Sequence, residues 1–167
     1  DINKMAVTTQ KSTEYTNATA TPVVNNTTAE QHGRLRVMFF THDQDGAGSA
    51  NSTVTLGKLP AGKVRIIGGL SRFYCNWTTS SQTMDIGWES FTAQDGTTTA
   101  ADVDGLVDGL DVDTAGYFSV ESALAAEKAT GGTHVFESRD GVVINALAIE
   151  ALVDGDDLVG YITYVVD

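Results

Sequence analysis

Short runs in which apolar and polar residues alternate, separated by turn residues, fill the chain from Leu35 onward. Alternation with a period of two is typical of β-strands, because successive side chains point to opposite faces of a sheet. The turns agree, since Pro60 and Gly62 occupy the second and fourth positions that a type I turn favours. The runs predict eight strands, at residues 35–40, 53–56, 63–67, 70–77, 82–91, 133–137, 142–152 and 158–166.

The segment from Val103 to Leu110 departs from this period. Val103, Leu106, Val107 and Leu110 lie at offsets of three, four and seven, which place them on one face of a helix. Residues 122–128 are a second helical candidate. Such sparse helix among many strands predicts an all-β domain, a β-sandwich or jelly-roll-like fold with one or two short helices, over a doubly wound α/β fold.

The first 34 residues differ in composition from the rest of the chain. They are rich in Thr, Asn and Ala, and their charges cancel, so the whole net charge of −12 falls on residues 35–167. An arm this polar cannot recover by burial the backbone entropy of about 1–2 kcal/mol per residue that ordering costs. We therefore expect an extended N-terminal arm at residues 1–34 and a single β-sandwich body at residues 35–167.

The arm is long enough to contact a neighbouring subunit. Fully extended, a segment of this length spans roughly 110 Å. Removing residues 1–30 should spare the fold of the body, because the predicted core lies beyond the cut. The predicted core residues are Leu35, Val37, Phe39, Val64, Ile66, Ile144, Leu147, Ile162 and Tyr164.

The charge and the apolar pattern exclude several partners. A net charge of −12 repels a nucleic-acid backbone and an anionic membrane surface at long range. No run approaches the 18 or so apolar residues that a membrane-spanning helix needs. The single cysteine, Cys75, cannot form an internal disulfide, a pattern that fits folding in a reducing compartment.

Residues capable of catalysis are few and scattered. His32, His42 and His134 lie far apart in sequence without Cys or Glu at ligand spacing. His42, next to Asp43, is better explained by a hydrated turn than by a general base, and Cys75 by a buried strand position than by a nucleophile. The nucleophile elbow and the glycine-rich phosphate loops are absent. We expect no enzyme activity and no catalytic, cofactor-binding or metal-binding residue.

One long stretch is strongly acidic. Residues 73–127 contain ten Asp or Glu and no Lys or Arg, which raises the alternative of a Ca²⁺ site. An EF-hand centred on Gly105 would place Ala100 first and Asp111 in the position of the bidentate Glu, so the spacing does not fit. A solvated acidic surface is the favoured interpretation, with no cofactor.

The aromatic residues leave a second alternative open. Trp77, Trp88, Phe73 and Phe91 would form a platform for a sugar ring if they converged on the surface, although at strand spacing such residues are more often core. A carbohydrate-binding or receptor-binding module therefore stays as the alternative function.

Four segments of the body carry a resemblance to a known group of proteins. They are LPAGKVR at 59–65, MDIG at 84–87, FESR at 136–139 and GYITYVVD at 160–167. Together they resemble small head-associated structural proteins of tailed bacteriophages, which are encoded near the major capsid protein. The resemblance covers the body and not the arm, and it transfers no individual functional residue.

The resemblance implies a decoration or cement protein that binds and stabilises the phage capsid shell. The expected partner is the major capsid protein, and the expected location is the capsid surface of a virion assembled in the host cytoplasm. We also expect a symmetric homo-oligomer, with a trimer as the first guess because shells offer threefold sites. Neither nucleic acid nor membrane is expected as a partner.

Overall fold

The computed structural model describes residues 11–26, 33–120 and 132–167. These residues contain one helix, α1 (Thr13–Thr19), and a 3-10 turn at Gly68–Leu70. The strands are β1 (Arg36–Asp43), β2 (Ser52–Leu59), β3 (Gly62–Ile67), β4 (Arg72–Cys75), β5 (Thr83–Trp88), β6 (Phe91–Thr92), β7 (Thr98–Thr99), β8 (Asp102–Asp111), β9 (Gly116–Ser119), β10 (Thr133–Ser138), β11 (Val142–Ala148) and β12 (Asp157–Val166).

The strands form two antiparallel sheets whose inner faces share one core. In the six-stranded sheet, β12 pairs with β1 on one side and with both β3 and β4 on the other, while β10 pairs with β3 and β9 pairs with β4. A four-stranded sheet has the order β2-β11-β5-β8, and β6 pairs with β7 in a small hairpin. The predicted all-β sandwich is confirmed, and each of the eight predicted runs contains a strand.

The centre of the six-stranded sheet is β12. Strands β3 and β4 lie one after the other along the same side of β12, interrupted by the 3-10 turn. Buried Ser71 closes this interruption, because its Oγ donates to the carbonyl of Ile67 at 2.8 Å and accepts from the N–H of Thr163 at 2.9 Å. Side-chain hydrogen bonds thus replace ladder bonds where the strand is broken.

The core collects side chains from the inner faces of both sheets. The six-stranded sheet contributes Val64, Ile66 and Ile162, and the four-stranded sheet contributes Ile144, all of them buried as predicted. Tyr164 is half-buried and packs against the core. The prediction for Leu147 is wrong, because this half-buried side chain lies on the opposite face of β11 from the buried Ile144. The largest fully buried side chain is Trp77.

The predicted position of β1 relative to the core is wrong. Leu35, Val37 and Phe39 were expected in the core, yet they are 59%, 44% and 75% exposed. Met38 and Phe40 face inward instead. Both faces of this strand are apolar, so alternation alone could not show which face is buried.

The helix predicted across Val103–Leu110 is also wrong, because these residues lie in β8. The pairing of β8 with β5 shifts register twice, and the neighbours Leu106 and Val107 are both buried. Such irregularities imitate the three-and-four spacing of a helix. Gly105 is needed because a Cβ there would lie 2.3 Å from the ring of Trp88.

The helical candidate at residues 122–128 lies outside the described residues. Within the arm, where no regular structure was expected, α1 forms with Ser12 as its N-cap, since the Oγ of Ser12 accepts from the N–H of Tyr15 at 3.1 Å. The division into an arm and a body at residue 35 stays a prediction.

No helix in the described part of the chain is long and apolar enough to cross a membrane.

Candidate functional site

The outer face of the six-stranded sheet carries a cluster of aromatic side chains that the core does not use. We call this surface the aromatic face, and define it by eight positions on four adjacent strands. They are Phe39 and Thr41 on β1, Val159 and Tyr161 on β12, Arg72 and Tyr74 on β4, and Tyr117 and Ser119 on β9.

The rings of the aromatic face are open to solvent but ordered against each other. Phe39 is 75% exposed and Tyr117 is 76% exposed. Phe39 packs edge-on against Tyr161 at 5.7 Å, and Tyr74 lies 5.2 Å from Tyr117 between ring centroids. A shallow depression of about 670 Å³ lies between the two ring pairs. Rings held in place in this way can pack on a partner with little further loss of conformational entropy.

The aromatic face differs from the rest of the molecule in charge. The chain has 22 Asp and Glu against 10 Lys and Arg, yet none of the eight positions is acidic. Its single charged residue is Arg72, which is exposed. Tyr, Phe and Arg are enriched at protein interfaces and Asp and Glu are depleted there, so the composition is that of a protein-binding surface.

A second aromatic cluster lines a depression of about 490 Å³. We call it the tryptophan depression; it is lined by Trp88, Phe91, His134 and Phe136 among others. The indole Nε1 of Trp88 donates to the carbonyl of Ala100 at 3.2 Å, and the rings of Trp88 and His134 lie 4.8 Å apart.

The structure divides the four aromatic residues that were considered as a sugar platform. Trp77 and Phe73 are buried in the core, which rules them out as a surface platform. Trp88 and Phe91 do come together, at the tryptophan depression. Two of the four residues therefore line a surface depression, and the other two belong to the core.

The polar residues considered for catalysis are not assembled into a site. His42 lies in β1 and not in a turn, and its Nε2 is 3.1 Å from Oε1 of Gln44 just past the end of the strand. Cys75 is fully buried, and burial raises the pKa of its thiol to about 12, so the side chain remains a thiol. Among residues 11–26, 33–120 and 132–167, no three His, Cys, Asp or Glu side chains are placed to hold a metal ion. His32 lies outside these residues.

The acidic side chains serve local structure. The Oδ1 of Asp85 accepts from the N–H of Gly109 at 2.7 Å. The Oδ1 of Asp95 accepts from the hydroxyl of Thr97 at 2.7 Å, and the hydrogen bonds from Thr97 lower the pKa of Asp95. A hydrogen bond with the neighbouring carboxylate of Asp104 raises the pKa of Asp102.

Sequence reasoning missed the aromatic face. Phe39 was assigned to the core, and Tyr117 lies in a strand that no predicted run contained. The apolar residues on both faces of the first run were the one available signal, since a strand with only one buried face should alternate with polar residues. Phe39 and Tyr117 meet on one face only through the pairing order of β1, β12, β4 and β9, which the sequence does not show.

Comparison with known proteins shows the fold. No protein-family model matches the chain, and no curated protein matches it. Among solved structures, a chain of the cyanophage Pam1 capsid asymmetric unit is similar, with a TM-score of 0.50, 11% identity, and coverage of 81% of this chain and 86% of that chain. The VP2 protein of infectious bursal disease virus, from its subviral particle, is similar with a TM-score of 0.51 and 11% identity over 81% of this chain. This chain spans 33% of the length of that VP2 chain. The all-β sandwich is thus of the jelly-roll type found in viral capsid proteins.

Proposed function

We propose that this protein is a virion structural protein that binds to and stabilises a capsid shell and has no enzymatic role. The observation that carries the proposal is the likeness to a chain of the cyanophage capsid asymmetric unit, in which each chain covers more than four-fifths of the other. A likeness over more than four-fifths of both chains favours a similar use of the domain. The larger VP2 chain contains the same fold as only a third of its length.

Within that role, the proposal is a decoration or cement protein of a tailed bacteriophage. Its partner would be the major capsid protein, its location the capsid surface, and its assembly would take place in the host cytoplasm. The four resembling segments support this, and they now have structural positions: 59–65 spans the turn from β2 into β3, and 160–167 forms most of β12.

The arm is the proposed anchor on the shell. Its described residues carry their own local hydrogen bonds, such as Val24 N–H to Asn17 O at 3.1 Å and Asn17 Nδ2 to Asn26 Oδ1 at 3.1 Å. Val23 and Val24 are 63% and 51% exposed, so they are available to a neighbouring surface. An arm that reaches a second site raises the effective concentration there, which increases avidity by roughly 10²–10⁴.

The experiment adds purified protein to shells that lack it. Bound chains are counted by gel densitometry, and shell survival is measured during heating. We expect saturable binding and a higher temperature of shell disruption, with three chains per threefold position if the shell-bound form is the expected trimer. Saturable binding without stabilisation would reject the cement role. If no protein binds even at a large molar excess over the shells, the proposed capsid-binding function is rejected. The shell for this assay is chosen by mass spectrometry, which detects peptides of this chain in the purified particles that contain it.

A second candidate function rests on the tryptophan depression. A carbohydrate-binding or receptor-binding virion module would place a sugar ring against Trp88 or Phe91, which line it with the imidazole of His134. A glycan array tests this, with Phe91→Ala as the variant because Phe91 is only half-buried, whereas Trp88 also packs against Gly105. Glycan binding that is lost in Phe91→Ala would favour the module over the cement protein.

A further inference from the structure

We propose that the aromatic face is a contact between two copies of this chain, related by a two-fold axis. This inference does not depend on the proposed capsid role, because it concerns the free protein in solution.

The pairing register arranges the aromatic face as two rows across four strands. The first row runs in the order Phe39, Tyr161, Arg72, Ser119. The second row, two residues further along each strand, runs in the order Thr41, Val159, Tyr74, Tyr117. Large side chains thus occupy two diagonally opposite corners, at Phe39 and Tyr117, and small ones the other two, at Thr41 and Ser119.

This arrangement is complementary to itself. A two-fold axis that lies in the interface and crosses the strands exchanges the two rows between copies. It would place Phe39 against Thr41, Tyr117 against Ser119, Tyr161 against Val159 and Arg72 against Tyr74.

A two-fold axis parallel to the strands exchanges the four columns instead. It would place Phe39 against Ser119, Tyr117 against Thr41, Val159 against Tyr74 and Arg72 against Tyr161. In both cases every large ring faces a smaller side chain or the Arg72 guanidinium, which binds favourably to the face of a tyrosine ring. Contacts of this kind are isologous, as in most symmetric dimers.

The charge of the aromatic face also favours a second copy of this chain as its partner. Two copies with a net charge of −12 each repel one another, and the repulsion is strongest where carboxylates approach. The aromatic face has no Asp or Glu at any of its positions, and Arg72 lies among them. The nearest carboxylates on the same sheet face are Asp43 and Asp157, one row beyond Thr41 and Val159. The two-fold axis that crosses the strands keeps these carboxylates of the two copies at opposite ends of the contact, so it is the arrangement that charge favours.

The area of the face predicts a weak and reversible dimer. An aromatic side chain removes about 150–250 Å² from water when it is buried, and Phe39 and Tyr117 are each about three-quarters exposed. Four strands at a spacing of about 4.8 Å make the face roughly 15 Å wide. Covering it on both copies would bury on the order of 1,000 Å², the lower limit for a specific interface.

The test is analytical ultracentrifugation of the full chain from about 5 to 500 µM, where an interface of this size should populate both monomer and dimer. We expect a monomer–dimer equilibrium that strengthens when salt is raised, because salt screens the repulsion between the acidic bodies. Phe39→Ser and Tyr117→Ser should weaken association at least about tenfold. Both residues are exposed, so the fold should be retained, and circular dichroism checks this.

One variant distinguishes a shape-complementary contact from non-specific hydrophobic association. Thr41→Tyr adds apolar area at an exposed position of the face. Non-specific association would strengthen, whereas the proposed contact should weaken at least about tenfold, because the new ring collides with Phe39 or Tyr117 of the second copy. Val103→Ser is the matched control for the two serine variants, since Val103 is 57% exposed on the other sheet. This substitution should leave association unchanged.

Four outcomes would overturn the proposal. They are a monomer at every concentration, a trimer, association that the face variants leave unchanged, and association that Thr41→Tyr strengthens. If the protein is a monomer and the face variants lose binding to shells, the occupant of the face is the shell and not a second copy.

Discussion

Ser71 provides the most direct test of how the six-stranded sheet is held together. The residue is fully buried at the interruption between β3 and β4. Its hydroxyl donates to the carbonyl of Ile67 and accepts from the N–H of Thr163 on β12. Ser71→Ala removes both hydrogen bonds and offers neither group a new partner.

The size of the effect follows from the burial of these groups. A buried N–H without an acceptor costs about 1–3 kcal/mol, and the lost bond to the Ile67 carbonyl adds about 1 kcal/mol. The sum is about 2–4 kcal/mol of unfolding free energy. In a domain of this size each kcal/mol lowers Tm by about 2–4 °C, so Tm should fall by roughly 5–15 °C.

Urea unfolding and thermal denaturation followed by circular dichroism measure the change. Ser80→Ala is the matched control, because Ser80 is exposed and its replacement should alter stability by less than about 0.5 kcal/mol. A Ser71→Ala variant as stable as the control would refute the view that this hydroxyl replaces the missing ladder bonds.

Four further predictions concern other parts of the chain. Gly105→Ala should destabilise the fold by about 1–3 kcal/mol in urea unfolding, because its Cβ would lie 2.3 Å from the ring of Trp88; unchanged stability would contradict the packing described for β8. Because its pKa is raised, Asp102 favours the folded state less as pH rises above its ordinary value of 3.8, so Asp102→Asn should be at least as stable as the original chain at pH 7 and lose any advantage below pH 3.8; a less stable variant at pH 7 would contradict this. Cys75, with a thiol pKa of about 12, should react with thiol reagents only when the protein unfolds, so labelling of the native protein faster than unfolding would contradict its burial. Deleting residues 1–30 should move Tm little but weaken attachment to shells, and a truncated body that unfolds on its own would show that the arm belongs to the core.

The fold class could be predicted from the sequence because most strands have one strongly apolar face. Val64 and Ile66 on β3, and Ile144 on β11, alternate with less buried residues, and each is buried as expected. Turns at Gly62 and elsewhere mark the ends of these strands. A period of two that is repeated many times leaves few folds other than a sandwich or a barrel.

The prediction failed where the same apolar pattern fits either a helix or an irregular strand. Leu106 and Val107 are consecutive and both buried, because the pairing of β8 with β5 is irregular. A regular strand would expose one of them, whereas a helix would bury both. The pairing of β8 with β5, in which Gly105 lies against the ring of Trp88, shows that this segment is a strand.

Both faces of β1 are apolar, and they have different roles: one face contributes to folding of the monomer, and the other is free for association. A strand on the surface of a sandwich needs only one apolar face for folding, and Met38 and Phe40 supply it. Phe39 points outward and stays three-quarters exposed, so the monomer gains little hydrophobic stabilisation from it. Substitutions at Phe39 should therefore lower the free energy of unfolding of the monomer by only about 1 kcal/mol or less, the contribution of its cross-strand contact with Tyr161. Any large effect of Phe39→Ser on assembly would come from a partner surface, which makes this residue the place to measure association independently of folding.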